Sequence, residues 1–232
     1  MNASGPAQLD GLLDISPAAL EHAQRFARVS NLKDNSVVYF QDDPTEHLFF
    51  VKHGYVRLSY ISEDGLVTLH SIVPPGRSFG EAGALERFGY CDTAFGVGAT
   101  EVIALDLACM NDHASVADEI RLAVARLIAR RYRDHVEFTR ALYRPNLALR
   151  LSYSLLKLLD TLGNEIRYQG QQVQCLGPVV TQRDLGAMAR GTRENVNKAL
   201  RNWQKKGILA LEDRHIIVLD RPRLEQVSLD VD

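Results

Sequence analysis

Residues 112–143, "DHASVADEIRLAVARLIARRYRDHVEFTRALY", run for thirty-two positions without a glycine or a proline. No other feature narrows the available folds so much. Strong helix formers fill the run, acids sit near its start, and Ser115 stands where a cap is needed. A helix of this length reaches roughly 45 Å, more than the width of a small domain. The chain is therefore read as a body before the helix (residues 1–110), the helix itself (111–144) and a body after it (145–232). Its 232 residues suit that division. Pro145 ends the helix, and the break at Tyr143–Asn146 is the expected hinge. A seam of Arg121, Ala125, Ile128, Tyr132, His135, Thr139 and Leu142, spaced alternately four and three apart, could lie on the first body or pair with a second copy.

The first body reads as β-structure. "SVVYF", "HLFFVKHGYVRLSYIS", "LVTLHSIV" and "TAFGVGATEVIALDL" are rich in β-branched and aromatic residues. Turn chemistry separates them at "QDDPTE", "KHG", "SEDG" and "PPGRSFGE". Strands at this spacing point to a sandwich or jelly roll. The second body opens with the helical pattern "LALRLSYSLLKLLDTLG", passes through the extended "QVQCLGPVV", and closes on "GILALEDRHIIVLD", two apolar strands about a turn. Between these lie two short helices, so the order is that of a winged helix.

Charge divides along the same lines. Residues 1–110 carry seven Lys/Arg and fourteen Asp/Glu, whereas residues 181–207 alone carry seven and two. A polyanion, if bound, belongs at the back. No apolar run reaches the roughly 18–20 residues that span a bilayer. "MNASGPAQLDGLLD" lacks the basic and apolar regions of a secretory signal. The three cysteines, Cys91, Cys109 and Cys175, are far apart and form no CxxC pair, so a reducing cytoplasm is the expected setting.

The basic stretch "TQRDLGAMARGTRENVNKALRNWQKKG" has two helix starts. Thr181 and Asp184 make a capping box, and Thr192 caps a second helix beyond the turn at Gly191. That helix turns Val196, Ala199, Leu200 and Trp203 inward at i, i+3, i+4 and i+7. Arg193, Glu194, Asn197, Lys198 and Arg201 stay outside. A charge run of this kind is either a solvated face or a surface that sits on phosphates. Glu194 decides between them, because a carboxylate facing DNA is costly unless it accepts from a base such as cytosine N4. Arg193 suits guanine O6 and N7. The base-reading set is thus Arg193, Glu194, Asn197 and Lys198. Thr181, Gln182, Arg183 and Thr192 would hold phosphates.

With "TRENVNKAL" as reading helix, "GILALEDRHIIVLD" as wing and "PPGRSFGEAGALE" upstream, the chain resembles the bacterial cyclic-AMP receptor protein/fumarate-nitrate regulator (CRP/FNR) superfamily from about residue 20 to 220. The resemblance implies an α+β fold: an N-terminal β-roll of the jelly-roll, cyclic-nucleotide-binding type, a long dimerisation helix and a C-terminal winged helix-turn-helix. It further implies a homodimer on a palindromic operator of double-stranded DNA, with RNA polymerase as a partner and no membrane. Arg193, Glu194 and Lys198 fall on the family's base-reading positions, and the arginine favours a half-site of the TGTGA type.

The sensor region departs from the resemblance. Cyclic-nucleotide members place a glutamate on the ribose and an Arg-Ser or Arg-Thr pair on the phosphate. Gly80 and Glu81 match, and Thr93 can replace the serine, but Asp92 stands where the arginine would be. Arg131 matches a helix arginine, whereas His135 and Val136 replace the hydroxyl pair that faces the purine. The tentative effector set is Gly80, Glu81, Thr93, Arg131 and His135. A cyclic nucleotide remains a candidate cofactor although its phosphate-binding arginine is absent, and the effector is not readable. An iron–sulfur cluster needs N-terminal cysteines that this chain lacks, and its histidines show no metal-ligand spacing. No nucleophile elbow, nucleotide-binding glycine loop or cupin histidine pair marks an enzyme. The rival reading is a cyclic-nucleotide module that acts through protein contacts. In the expected mechanism the effector, or its absence, shifts the register of the central helices and sets two reading helices near 34 Å apart.

Overall fold

The structure, a computed structural model, describes residues 2–6, 9, 11–86, 88–111 and 115–228; Arg87 and His113 lie outside them. Close contacts group the chain into two compact units, residues 1–67 with 71–135, and residues 68–70 with 136–232. The division falls inside the long helix, between His135 and Val136, and not at Pro145.

In the first unit the described strands form a sheet in the order β1 (Asn2–Pro6), β2 (Ala27–Leu32), β7 (Thr93–Asp106), β4 (His47–Ile61) and β5 (Val67–Val73). The short β3 (Val37–Tyr39) pairs with β7, and β6 (Ser78–Phe79) with β4. Side chains alternate, yet both faces are apolar. Leu48 and Phe50 of β4 join Ile103 and Leu105 of β7 in a core with Ala19, Ala23, Ile120 and Val124. Phe49, Val51 and Val102 face the other way, among Tyr39, Phe79 and Tyr90. Burial on both sides is why "HLFFV" is unbroken instead of alternating with polar residues.

The sequence reading puts a turn at "KHG", but β4 continues through it for fifteen residues. Gly54 sits at φ +75°, and a Cβ there would meet Thr100 Oγ1 at 2.6 Å and the Ala99 carbonyl at 2.7 Å. The register with β7 shifts between His53 and Tyr55. Gly54 therefore makes a bulge, not a strand end.

Helix α1 (Pro17–Gln24) is capped by Ser16, whose amide and hydroxyl both donate to Glu119. Helix α2 spans Ser115–Leu142, so Ser115 is its first residue and not its cap. Ala117, Ile120, Ala123, Val124, Phe138 and Ala141 are buried. The seam read from the sequence is partly turned towards the first unit's own core. Ile128 packs into the intrachain core, and Arg121 donates to Asp118 and the Met110 carbonyl. The outward apolar row is Leu122, Ala125, Ala129, Tyr132, Val136 and Thr139, with Leu122 and Tyr132 54% and 70% exposed.

The second unit holds α3 (Leu147–Leu162), capped by Asn146, followed by β8 (Asn164–Tyr168), β9 (Gln171–Leu176), α4 (Gln182–Ala189) and α5 (Arg193–Lys205). The wing β10 (Leu209–Glu212) and β11 (His215–Val218) and a last helix α6 (Arg221–Val227) complete it. The sheet order is β10-β11-β9-β8. Leu149, Leu155 and Leu159 of α3, Leu185 and Met188 of α4, and Val196, Leu200 and Trp203 of α5 are buried. The helix–turn–helix and wing appear as expected from the sequence; the β8–β9 hairpin and α6 are additions to that reading.

Candidate nucleic-acid interface and sensor site

The short segment between α4 and α5 is fixed by close approach as much as by conformation. Arg190, not a glycine, takes the left-handed cap, at φ 49° and ψ 52°. The Gly191 amide donates to the Gly186 carbonyl at 2.9 Å. A Cβ on Gly186 would meet the Gly191 carbonyl oxygen at 2.6 Å, and one on Gly191 would meet Leu147 at 2.6 Å. Arg150 of α3 adds a tie: its Nε donates to the Ala189 carbonyl at 2.7 Å, and its Nη1 to the Arg144 carbonyl at 2.8 Å. One guanidinium thus joins the last carbonyl of α4 to the connection after α2.

Val196, Leu200 and Trp203 anchor α5 inward, which leaves Arg193, Glu194 and Lys198 exposed at and near its N-terminal end. The phosphate candidates differ in what they can still donate. The Thr181 hydroxyl gives its proton to Asp184 Oδ2 at 2.7 Å and accepts from the Asp184 amide at 3.1 Å, so the capping box uses it fully. Thr192 Oγ1 only accepts, from the Asn195 amide at 3.2 Å, and keeps its proton. Arg183 is exposed. Gln182 and Asn197 are half-buried and bonded to each other, Asn197 Nδ2 donating to Gln182 Oε1 at 3.1 Å. Asn197 Oδ1 accepts from Arg201 Nε at 2.8 Å.

In the first unit, Gly80 lies at φ +77°, where a Cβ would press on the rings of Tyr90, Tyr39 and Phe49 at 3.1–3.3 Å. It directs Glu81 into the interior, where its side chain is 2% exposed. Arg131 of α2 donates through Nε to Glu81 Oε1 at 2.7 Å and through Nη2 to the Ser78 carbonyl at 2.7 Å. Glu81 Oε2 has no hydrogen-bond partner among the described residues. Asp92 accepts from the Tyr39 hydroxyl at 2.8 Å, and Tyr39 stacks on Tyr90 at 3.7 Å. Burial, and then the Asp92 charge, push the Tyr39 phenol well above its ordinary range. Burial pulls Arg131 down, but Glu81 and then Asp92 outweigh it and leave the guanidinium raised. The Thr93 hydroxyl accepts from the Gln41 amide at 3.0 Å and is buried. His135 is exposed on α2.

Burial, then Asp106, pushes the Cys109 thiol up to about 12, and burial raises those of Cys91 and Cys175. Among the described residues no group of three or more His, Cys, Asp or Glu could hold a metal ion. No helix in them is long and apolar enough to cross a membrane.

This architecture matches known proteins along nearly the whole chain. The profile of the cyclic nucleotide-binding domain matches residues 29–114, and that of the Crp-like helix-turn-helix domain matches residues 149–227. A transcriptional regulator of Thermus thermophilus, LdrP, is 30% identical, covering 88% of this chain and 95% of its own. The chain belongs to the CRP/FNR superfamily of transcription regulators. A solved CRP-family regulator, also from Thermus thermophilus, superposes with a TM-score of 0.71 at 27% identity, over 87% of this chain and 97% of that one. A CRP-like cAMP-activated global transcriptional regulator of Mycobacterium tuberculosis is 22% identical over 90% of this chain and 92% of its own.

Against the CRP/FNR frame, the structure brings Gly80, Glu81 and Arg131 together, and the Tyr39–Asp92 pair joins them electrostatically. Tyr39 escaped the sequence reading, since a tyrosine in a β-pattern carries no signal beyond packing. Arg150 escaped it too, as an arginine on the apolar face of a helical pattern. Thr93 and Thr181 are engaged in internal bonds. For Asn197 the amide is already occupied at both ends, which bears on its expected role as a base reader.

Proposed function

We propose that this CRP/FNR regulator is a homodimer that reads a two-fold symmetric operator through Arg193, Glu194 and Lys198. The observation that carries the reading is the division of α5: apolar residues locked inward, and an arginine, a glutamate and a lysine exposed near its N-terminal end. Plain charge attraction would not place a carboxylate there. Dimerisation is assigned to the outward row of α2 from Leu122 to Thr139, whose alternate three- and four-residue spacing is that of a coiled-coil seam. Contact with RNA polymerase belongs to the same reading. Arg193→Ala should cost roughly 1–3 kcal/mol at a selected operator and relax preference at one guanine. Measured by titration of operator variants, unchanged binding and unchanged preference would overturn the assignment.

The signal at the β-roll is read as something other than a cyclic phosphate. Asp92 stands where the cyclic-nucleotide pattern has its phosphate-binding arginine, and a monoanion at about 5 Å from that carboxylate meets roughly 3 kcal/mol of repulsion from it at an effective dielectric of about 20. Calorimetry with cyclic AMP and cyclic GMP, with and without operator, tests this; tight binding of either nucleotide would reverse it.

A further inference from the structure

We propose that Asn197 is a positioning residue, not a base reader, and that it holds Gln182 and Arg201 as a clamp for one DNA backbone phosphate. The proposal rests on the DNA-reading role of α5.

The hydrogen-bond directions of the trio are dictated by Arg201. A guanidinium can only donate, so the Asn197 atom at 2.8 Å from Arg201 Nε is the amide oxygen. The Asn197 nitrogen therefore faces Gln182, which must present its own oxygen, at 3.1 Å. Each amide oxygen already accepts one bond inside the trio. What remains is mostly donors, namely the Gln182 Nε2 hydrogens, the second Asn197 Nδ2 hydrogen and the Arg201 Nη hydrogens, against one further lone pair on each oxygen. Asparagine reads adenine by accepting from N6 while donating to N7. Both ends of the Asn197 amide are already aimed at Gln182 and Arg201, the latter through a charge-assisted bond of the stronger kind, so an adenine would have to share an oxygen and a nitrogen whose direction is set by other partners. Phosphate oxygens only accept, and a surface rich in donors complements them.

Placement agrees with chemistry. Gln182 is the first residue of α4, where backbone amides have no intrahelical acceptor. Arg201 is exposed one turn beyond Asn197 on α5. Asn197 thus ties the opening turn of one helix to the outer face of the next and fixes the direction of two phosphate donors that would otherwise sample many rotamers.

The test measures binding of a selected operator and of a scrambled duplex across a salt series, for the full-length chain and its Arg201→Ala, Asn197→Ala and doubly substituted forms. Thermal unfolding of each confirms that it is folded. Arg201→Ala should lower the slope of log affinity against log salt by about one on both duplexes. Asn197→Ala should weaken both duplexes by the same factor, about five-fold, with base preference unchanged at every operator position. The double substitution should be no weaker than Arg201→Ala within about two-fold, as expected if Asn197 acts through its partner. If Asn197→Ala relaxes preference at one base pair while leaving the scrambled duplex alone, Asn197 reads a base and the proposal is wrong. An unmoved salt slope in Arg201→Ala also overturns it. Arg193→Ala run in parallel separates the two layers: if it too changes nothing, DNA reading by α5 fails, whereas its normal effect beside an unmoved slope sinks only the clamp.

Discussion

On the reading proposed above, Asp92 is the single side chain that turns the β-roll site away from a cyclic phosphate. Its carboxylate is held by the buried Tyr39 hydroxyl and adds to the field on Arg131. Replacing it with arginine should invert the preference of the site. Asp92→Arg is expected to raise affinity for cyclic AMP by at least about ten-fold, the effect of removing roughly 1.4 kcal/mol or more of repulsion; calorimetry of the two forms side by side would check it. The same cluster predicts an alkaline limit. Burial raises Tyr90 from 10.0 to about 12 and moves Tyr39 in the same direction. The unfolded chain sheds these protons near pH 10 while the folded chain keeps them, so the stabilisation present below pH 10 is lost as pH rises towards 12. Urea midpoints measured between pH 9 and 11.5 should fall, and Tyr90→Phe should flatten that decline. Glu81 and Arg131 were legible in the sequence as matching positions. Their partnership with Tyr39 was not, because it joins residues separated by about forty to ninety positions that only the roll brings together.

Elements differed in how plainly they announced themselves. Helices α4 and α5 were readable because their starts are local: a threonine, a carboxylate three residues on, and an apolar stripe. The β8–β9 hairpin was hidden by its composition, since "NEIRYQGQQVQ" buries little along β8 and so shows weak alternation. On α2 the seam read from the sequence and the outward row share Ala125, Tyr132 and Thr139, and a repeat of this kind does not say which neighbours pack inward, as Ile128 does. The turn between α4 and α5 leaves little room for change. Gly186→Ala places a methyl against the Gly191 carbonyl, a backbone atom that cannot simply rotate away. We expect a loss of roughly 1–3 kcal/mol in chemical denaturation together with weaker operator binding, whereas Gly65→Ala, also a glycine substitution but with open space around it, should leave operator binding intact.

At the scale of the whole molecule, an acidic front and a basic 181–207 stretch give a chain that is formally −2 in net charge but locally positive where DNA is met. In the proposed dimer, affinity depends on presenting two such stretches at once, which would make the α2 row an energetic partner of the reading helices. Ala129→Asp, in the middle of that row, should shift the protein to monomer in sedimentation velocity at micromolar concentration and weaken operator binding more than ten-fold. The connection after α2 carries a further consequence. Arg150 holds its carbonyl to the end of α4, and Arg144 reaches back to the Leu149 and Ser228 carbonyls. The break read from the sequence at Tyr143–Asn146 is thus crossed by two guanidinium groups bonded to backbone carbonyls, and any turning there must first stretch those ties.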